Sequence, residues 1–183
     1  GFNERRGYFI DEGGFLSSMD QPAEVSVLEQ GPLFVKVAVK GKIGKYSFTQ
    51  TIRLTQGEPR IDMSVKLDWT GNPRIGEPGI EFRADNARKS FYYDRYKLLV
   101  YLPIQISNQQ IYKDAPFDVC ESRLENTFFN RWDSIKHNII LNWVDVTSKD
   151  NSCGLSLFTD HTTSYAHGKD FPLALNVQYA GKG

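Results

Sequence analysis

Cysteine is scarce in this sequence, which has only Cys120 and Cys153 among 183 residues. One such pair is too few for the disulfide scaffold that small secreted domains use. We expect two ordinary buried thiols, with a single disulfide between them as the alternative. The chain is also long enough to bury a hydrophobic core of its own and to form one domain.

Histidine is equally scarce, and the three that are present do not form a metal motif. A zinc site usually takes three or four ligands, several of them close in sequence as in HxxxH or CxxC. His161 and His167 are six residues apart and are flanked by Asp160 and Asp170, whereas His137 stands apart from them. This spacing favours ordinary loop histidines, and we predict no metal ligands in the chain.

Net charge and long apolar runs are missing as well. The 22 Lys and Arg residues balance the 22 Asp and Glu residues, so the formal net charge is zero. That balance argues against nucleic acid or an anionic membrane as a partner, because both need an excess of basic residues. The longest apolar runs are only a few residues, so no transmembrane helix is expected.

The N-terminal segment carries no targeting signal. Its start, GFNERRGYF, is polar and charged, unlike a signal peptide. Because the chain begins with Gly1 and not with Met, we expect a processed or cloned fragment of a larger chain, and no compartment is predicted. Residues 1–20 show no helical or strand period and are expected to be an extended lead-in from a preceding region.

What the sequence has in abundance is the alternation of apolar and polar residues. In LFVKVAVKG (33–41) every second residue from Leu33 to Val39 is aliphatic and Lys36 and Lys40 fall on the other set, a period of two that is typical of a half-buried strand. KYSFTQTIRL (45–54) and RIDMSVKLDW (60–69) repeat the pattern after short turns, and AEVSVLE (23–29) precedes them. We therefore predict four strands in meander order within residues 23–68.

The second half holds further strand candidates after an irregular excursion over residues 70–95 that includes a possible short strand at 79–83. Strand character returns in KLLVYLPIQI (97–106), where Pro103 indicates an edge, a bulge or a break. A further short strand is expected in SNQQIYKDAPFDV (107–119). Three more candidates follow near the end of the chain: NIILNWVDV (138–146), GLSLFTD (154–160) and LALNVQY (173–179).

No stretch of eleven residues has a convincing 3.6-residue apolar period, so the chain is predicted to be all-β with few or no helices. About nine or ten strands joined by hairpins and a few long loops most often close into an antiparallel β-sandwich. We expect the strands of 23–68 to form much of one sheet, and those of 97–106 and 138–179 to complete the second. One sandwich domain then covers residues 21–183.

Two carboxylates raise the question of catalytic chemistry, because a glycosidase needs a pair of them across a sugar. Asp145 and Asp160 each stand at the end of a strand candidate. Acids at strand ends usually cap turns or pair with Arg or Lys, and many other Asp/Glu pairs can be drawn. Neither a GxSxG motif nor a phosphate-binding glycine loop is present, so no catalytic residue is predicted.

The aromatic content is high, with 12 Phe, 9 Tyr and 3 Trp, and it has two interpretations. Aromatic residues pack well in a β-rich core, or they form platforms on which sugars stack. A carbohydrate-binding module needs two or three exposed on one surface, and its candidates are Trp69, Trp132, Trp143, Tyr92 and Tyr93. Trp143 is flanked by Val144 and Ile140 and is expected to be buried, which favours the core.

Three stretches resemble the C-terminal β-domain of glycoside hydrolase family 38 α-mannosidases: APFDVCESR (115–123), RWDSIKHNIILNWVDVTS (131–148) and GLSLFTDHTTSYAHGKDFPLALNVQY (154–179). In that family a PFG…R segment precedes a strand ending in W-x-D-x-S. A G-hydrophobic-x-hydrophobic-x-N-D strand, a Tyr-containing loop and a Leu-rich strand come next. The residues on those positions are Trp143, Asp145, Gly154, Leu155, Leu157, Asp160, Tyr165, Leu173 and Leu175.

The resemblance extends upstream and so covers nearly the whole chain. PAEVSVLEQGPLFVKVAVKG (22–41) is similar to the family's E-x-G-P strand pair, and RIDMSVKLDW (60–69) to its R-I-D…DW strand. The sequence departs from the family at Asp118, where glycine is usual, and at Thr159, where asparagine is usual.

The resemblance implies a β-sandwich of the supersandwich-like, galactose-mutarotase-like type. It also implies a parent enzyme that is a zinc-dependent, retaining α-mannosidase, with its zinc ligands, nucleophile and acid/base in an N-terminal catalytic domain of the same chain. This chain would then be an accessory domain without a cofactor of its own, inactive by itself, that supports the catalytic domain and the wall of the pocket. Its partners would be that domain and, through the parent, an α-mannoside.

The resemblance also implies one local contribution to substrate binding. In the family the strand matching LALNVQYAG runs towards the catalytic pocket, and a main-chain carbonyl near its end touches the sugar. By position, that carbonyl belongs to Tyr179 or Ala180, and Asp145 and Asp160 are then structural. An accessory domain predicts an exposed apolar patch where the catalytic domain would pack. The alternative, an independent carbohydrate-binding module, predicts exposed aromatic residues.

Overall fold

Strands dominate the fold, as the period of two predicts. The computed structural model describes residues 1–76, 96–122, 139–168 and 171–178. Within these ranges the one helix is a short 3-10 turn, Ile10–Glu12. The strands, in chain order, are β1 (Glu4–Phe9), β2 (Gly14–Ser17), β3 (Glu24–Gln30), β4 (Phe34–Ile43), β5 (Tyr46–Thr55), β6 (Ile61–Asp68), β7 (Leu98–Leu102), β8 (Gln109–Ala115), β9 (Asp118–Ser122), β10 (Ile139–Ile140), β11 (Trp143–Ser148), β12 (Gly154–Phe158), β13 (Thr163–Gly168) and β14 (Phe171–Gln178).

The chain divides into two compact units. One comprises Gly1–Phe15 and Arg74–Gly183, and we call it the sandwich unit; the other, Leu16–Pro73, is the meander unit. The strand pairs form three antiparallel sheets, which confirms the all-β, antiparallel prediction. In the described ranges, no helix is long and apolar enough to cross a membrane.

The meander unit carries a four-stranded sheet in the order β3-β4-β5-β6, so the predicted meander is confirmed. Gly44 lies in the two-residue turn between β4 and β5 and has a φ of 59°, a left-handed conformation that favours glycine. At the end of the sheet next to this turn, Ile43, Tyr46 and Phe48 are buried. Trp69 packs edge-to-face on Tyr46, with the ring centroids 5.2 Å apart. Ile43, Tyr46 and Phe48 are among the most deeply buried apolar side chains of the unit.

The sandwich unit carries two sheets, with strand orders β10-β13-β14-β7-β1-β2 and β12-β11-β8-β9. Its main core takes side chains from both: Ile111, Ile140, Val144, Val146, Tyr165 and Leu173 are almost completely buried together. Two sheets that share a core in this way form the predicted antiparallel β-sandwich. The sequence predicts that the strands of 97–106 and 138–179 complete one second sheet. These strands belong instead to two sheets, and these two sheets form the sandwich.

The predicted strand 138–146 is wrong as a single element. Its residues divide between β10 in one sheet and β11 in the other, with Leu141 and Asn142 crossing between them. Ile140 and Val144 are buried, but Asn142 between them is exposed. The period of two is thus interrupted at Asn142, where the chain changes sheets. The HTTSYAH segment, expected as a loop, contains β13.

Residues 1–20 contain strands and not only an extended lead-in. β1 pairs with β7 in the middle of the six-stranded sheet. Its inward residues are Arg5, Gly7 and Phe9, and only the last is a large apolar residue, so the sequence hides the alternation. A Cβ on Gly7 would lie 3.2 Å from Leu98 Cα, which shows how closely β1 and β7 approach. β7 ends at Leu102, where Pro103 indicates a break.

Candidate functional site

Several candidates from the sequence lie outside the described residues. They are the substrate-contacting pair Tyr179 and Ala180, the aromatic residues Tyr92, Tyr93 and Trp132, the metal-ligand candidates His137 and Asp170, and the short strand at 79–83. The assignments for these residues stay predictions. The remaining candidates are in the described ranges and can be placed.

Asp145 and Asp160 each have a partner of their own. Asp145 is half-buried on β11 and accepts a hydrogen bond from the hydroxyl of Ser156, its direct neighbour on β12. Asp160 follows β12 with its side chain 96% exposed, and it accepts a hydrogen bond from Nδ1 of His161 at 2.6 Å. This bond lowers the pKa of Asp160. The two acids therefore end or line strands, and neither forms an ion pair with an Arg or Lys of the described ranges.

The two described histidines lie in different surroundings. His161 is exposed beside Asp160, whereas His167 is 3% exposed on β13. Nδ1 of His167 donates to the carbonyl of Phe171 at 3.1 Å, and Nε2 lies 2.6 Å from the side-chain amide of Gln109. Burial lowers the pKa of His167. Among the described residues, no group of three or more His, Cys, Asp or Glu is arranged to hold a metal ion.

The two cysteines are free thiols, as expected. The expectation that both are buried is wrong, because Cys153 is exposed and Cys120 is only partly buried. Cys153 lies in the turn between β11 and β12, where its carbonyl accepts hydrogen bonds from the Ser148 hydroxyl and from the Ser148 backbone N–H. The cysteines thus contribute local structure and no cross-link.

One surface of the sandwich unit combines aromatic rings with hydrogen-bonding groups. We call it the aromatic face; it is the outer side of β11, β12 and β8, and it is formed by Trp143, Asp145, Ser156, Phe158 and Tyr112. Trp143 stands directly opposite Phe158, and Asp145 lies between Ser156 and Tyr112. Directly opposed side chains in an antiparallel pair are in contact range. Phe158 is 75% exposed.

The expected burial of Trp143 is wrong, since this residue is only partly buried. Successive residues of a strand point to opposite sides of the sheet. Val144 and Val146 occupy the core positions of β11, so Trp143 and Asp145 point outwards. Because Val144, the apolar neighbour of Trp143, points into the core, Trp143 points to the surface.

The backbone that leads to Trp143 is held by a carboxylate on the neighbouring strand. Asp114 on β8 accepts hydrogen bonds from the backbone N–H groups of Leu141 at 2.9 Å, Asn142 at 2.6 Å and Trp143 at 3.3 Å. A carboxylate that accepts several N–H groups makes strong, charge-assisted bonds. Asp114 therefore fixes the crossing from β10 to β11 and the position at which Trp143 starts its strand.

Two further contacts hold the same corner. The ammonium group of Lys113 donates to the carbonyl of Ile139 at 2.8 Å, and partial burial lowers the pKa of Lys113. At the end of β12, the N–H of Thr159 donates to the carbonyl of Asn142 at 2.6 Å, and its hydroxyl donates to the carbonyl of His161. The ends of β11 and β12 that carry the aromatic pair are thus tied together.

A different apolar surface lies on the sheet of the meander unit. We call it the aliphatic face; its exposed members are Val25, Val27, Leu54, Ile61 and Met63. The strand register places Val27 and Met63 in one row across the sheet, with Val37 and Ile52 between them. Val27 is 59% exposed and Met63 is 42% exposed.

The aliphatic face is unusual for a surface. Soluble proteins rarely expose large contiguous apolar patches unless something binds there. The opposite side of the same sheet is polar, with Lys36, Arg53 and Asp62 in one row. The sheet is thus amphipathic, and its apolar side carries exposed side chains at Val27, Leu54 and Met63 and buried ones at Ile43 and Phe48.

The comparisons with known proteins agree with the resemblance in the sequence. A family model described as "Glycosyl hydrolases family 38 C-terminal domain" matches residues 7–176. The matched region includes both faces, the whole meander unit and most of the sandwich unit. Comparisons with curated proteins and with solved structures give no match.

Proposed function

This chain belongs to the glycosyl hydrolases family 38 C-terminal domain family, and from that premise we propose that it is the accessory β-sandwich domain of an α-mannosidase. Family membership makes it a part of a glycoside hydrolase family 38 protein. The proposed parent enzyme is a zinc-dependent, retaining hydrolase of α-mannosidic bonds. Its catalytic domain would lie N-terminal in the same chain, and this domain would be inactive alone.

The observation that carries the proposal is the aliphatic face. Its side chains are aliphatic and lie on a regular sheet, a surface suited to burial against another folded domain. Interface cores are depleted in charged residues, and the row from Val27 to Met63 carries none. We assign this face to the catalytic domain of the same chain, since a C-terminal domain of the family has that domain as its covalent neighbour.

Among the described residues, no group of side chains is arranged to bind zinc. His167 is buried against Gln109, and His161 is paired with Asp160 out in solvent. In the proposed enzyme the zinc ligands, the nucleophile and the acid/base lie in the catalytic domain, as the family resemblance implies. The contribution of this chain to substrate binding would be a backbone carbonyl at Tyr179 or Ala180, at the wall of the pocket.

The test places charges on the aliphatic face of the whole protein. We expect V27K together with M63K to lower hydrolysis of a nitrophenyl α-mannoside at least about tenfold, an effect of about 1.4 kcal/mol. Burying two ammonium groups in an apolar interface is costly, so the domains would separate. The matched control is S26K with S64K, which adds the same charges to the polar side of the same strands.

Two results would contradict the proposal. One is unchanged activity and an unchanged limited-proteolysis pattern in the V27K/M63K protein. The other is turnover of the α-mannoside by the 183-residue chain alone, with or without added zinc. A circular-dichroism melt of each variant in the isolated chain shows that a loss of activity does not come from unfolding.

A further inference from the structure

We propose that the aromatic face is a carbohydrate-binding surface that holds one pyranose ring. Trp143 and Phe158 lie opposite each other on β11 and β12, and Phe158 is 75% exposed. Asp145 and Ser156 are the next outward pair on the same two strands. Two rings and two oxygen-bearing side chains thus share one side of the sheet.

This combination matches the chemistry of a sugar. A pyranose ring has C–H groups on its faces and hydroxyl groups around its edge. Binding sites for such molecules combine aromatic surface with a few well-placed polar groups. The rings of Trp143 and Phe158 would take the C–H face, and the carboxylate of Asp145 would accept hydrogen bonds from hydroxyl groups. Bonds to a charged acceptor are the stronger kind.

The site is already in place before a ligand arrives. Asp114 holds the three backbone N–H groups at the start of β11, and Thr159 ties the end of β12 to Asn142. The Ser156 hydroxyl orients the carboxylate of Asp145. A binding surface on such a sheet loses little conformational freedom when it binds, which favours affinity.

The charges around the rings favour a neutral sugar over a nucleic acid. Single-stranded nucleic acid also stacks on aromatic rings, but it needs basic residues along the phosphates. The outward neighbours here are acids: Asp145 on β11, and Glu121 on β9 opposite Tyr112. These carboxylates would repel phosphate groups and accept hydrogen bonds from hydroxyl groups.

The experiment is an NMR titration of the labelled 183-residue chain with mannose and α-linked mannobioses up to tens of millimolar. We expect saturable shifts of the amide signals of residues 143–145 and 156–158. F158A should weaken the binding at least about tenfold, and D145N should weaken it less. F2A is the matched control, because Phe2 is also an exposed aromatic residue but lies outside this sheet.

Phe158 is mostly exposed, so F158A is expected to fold normally, and its dispersed spectrum will show this. Unshifted signals at the highest sugar concentration would overturn the proposal, as would equal binding by F158A and the unmodified chain. The result is separate from the accessory role, since V27K and M63K leave the aromatic face intact and should leave this binding unchanged.

Discussion

The two faces expose apolar side chains in different chemical settings. The aliphatic face of the meander unit presents Val27 and Met63 in a row across four strands, with no charge in the row. The aromatic face of the sandwich unit presents Trp143 and Phe158 next to Asp145. Both faces lie on four-stranded antiparallel sheets, so strand geometry does not explain the difference.

The difference indicates two kinds of partner. A row of apolar side chains such as the one from Val27 to Met63 gains free energy when it is taken out of water, which requires a large complementary surface. Aromatic rings flanked by a carboxylate and a hydroxyl can contact the apolar face of a small ligand and form hydrogen bonds with its polar groups. Such a contact does not require a large surface to leave water. The first face fits another protein domain, and the second fits a sugar.

The largest change in the free energy of unfolding is expected at alkaline pH, and it comes from a residue in the core below the aromatic face. Tyr165 is fully buried, its hydroxyl shares a hydrogen bond with that of Ser122, and burial raises its pKa from 10.0 to about 12. Tyr165 is neutral in the folded state, so its stabilising contribution is complete below pH 10 and is lost as the pH rises through 12. Two pH units at about 1.4 kcal/mol each give a loss of up to about 3 kcal/mol.

The measurement is the free energy of unfolding in urea from pH 8 to pH 12. Y165F is the control: it should be about 1 kcal/mol less stable at neutral pH, because the bond with Ser122 is gone. Its stability should fall less steeply above pH 10 than that of the unmodified chain. If the two curves run parallel, Tyr165 is not the group that titrates.

The next largest effect is expected from a substitution that disturbs the aromatic face and leaves the aliphatic face unchanged. D114A removes the acceptor of three backbone N–H groups and should lower the free energy of unfolding by about 2–3 kcal/mol. It should also weaken sugar binding, because the start of β11 carries Trp143. D118A is the matched control, since Asp118 accepts only from the neighbouring N–H of Val119 among the described contacts. Equal stability of the two variants would show that the corner is held by other contacts.

A smaller change in the free energy of unfolding is expected at acidic pH. Burial lowers the pKa of His167 below its ordinary value of 6.5, so the folded state keeps this ring neutral. Its contribution to stability is complete above pH 6.5 and decreases as the pH falls, because the unfolded chain binds the proton more readily. H167Q should give a flatter stability profile between pH 7 and pH 5 in urea unfolding. H161Q, at an exposed position, serves as the control for the loss of a histidine side chain.

The aliphatic face could be predicted from the sequence almost completely. The period of two in 33–41 and 60–69 fixes which residues share a side, and the register confirms this row by row. That the apolar side stays exposed does not follow from the period, because a strand in a sandwich core has the same alternation. Only the resemblance to a C-terminal domain, which needs a neighbour, predicted the exposed patch.

The aromatic face could not be predicted, for reasons that lie in particular residues. Trp143 has apolar neighbours, and its outward direction follows only once Val144 and Val146 are known to occupy the core positions of β11. The corner depends on Asp114, which is 27 residues from the first N–H that it accepts. Contacts over such distances require the pairing of β8 with β11, and no local pattern in the sequence encodes that pairing.

The smallest effect on stability is expected from the aliphatic face itself, and this sharpens the contrast between the two faces. Val27 is 59% exposed on the edge strand β3, so V27K in the 183-residue chain should change the free energy of unfolding by no more than about 0.5 kcal/mol. A38K is the contrasting variant, because Ala38 is buried on the other side of β4 and its replacement should destabilise the sheet strongly. A large loss of stability in V27K would mean that the aliphatic face is already packed within this chain and is not kept for another domain.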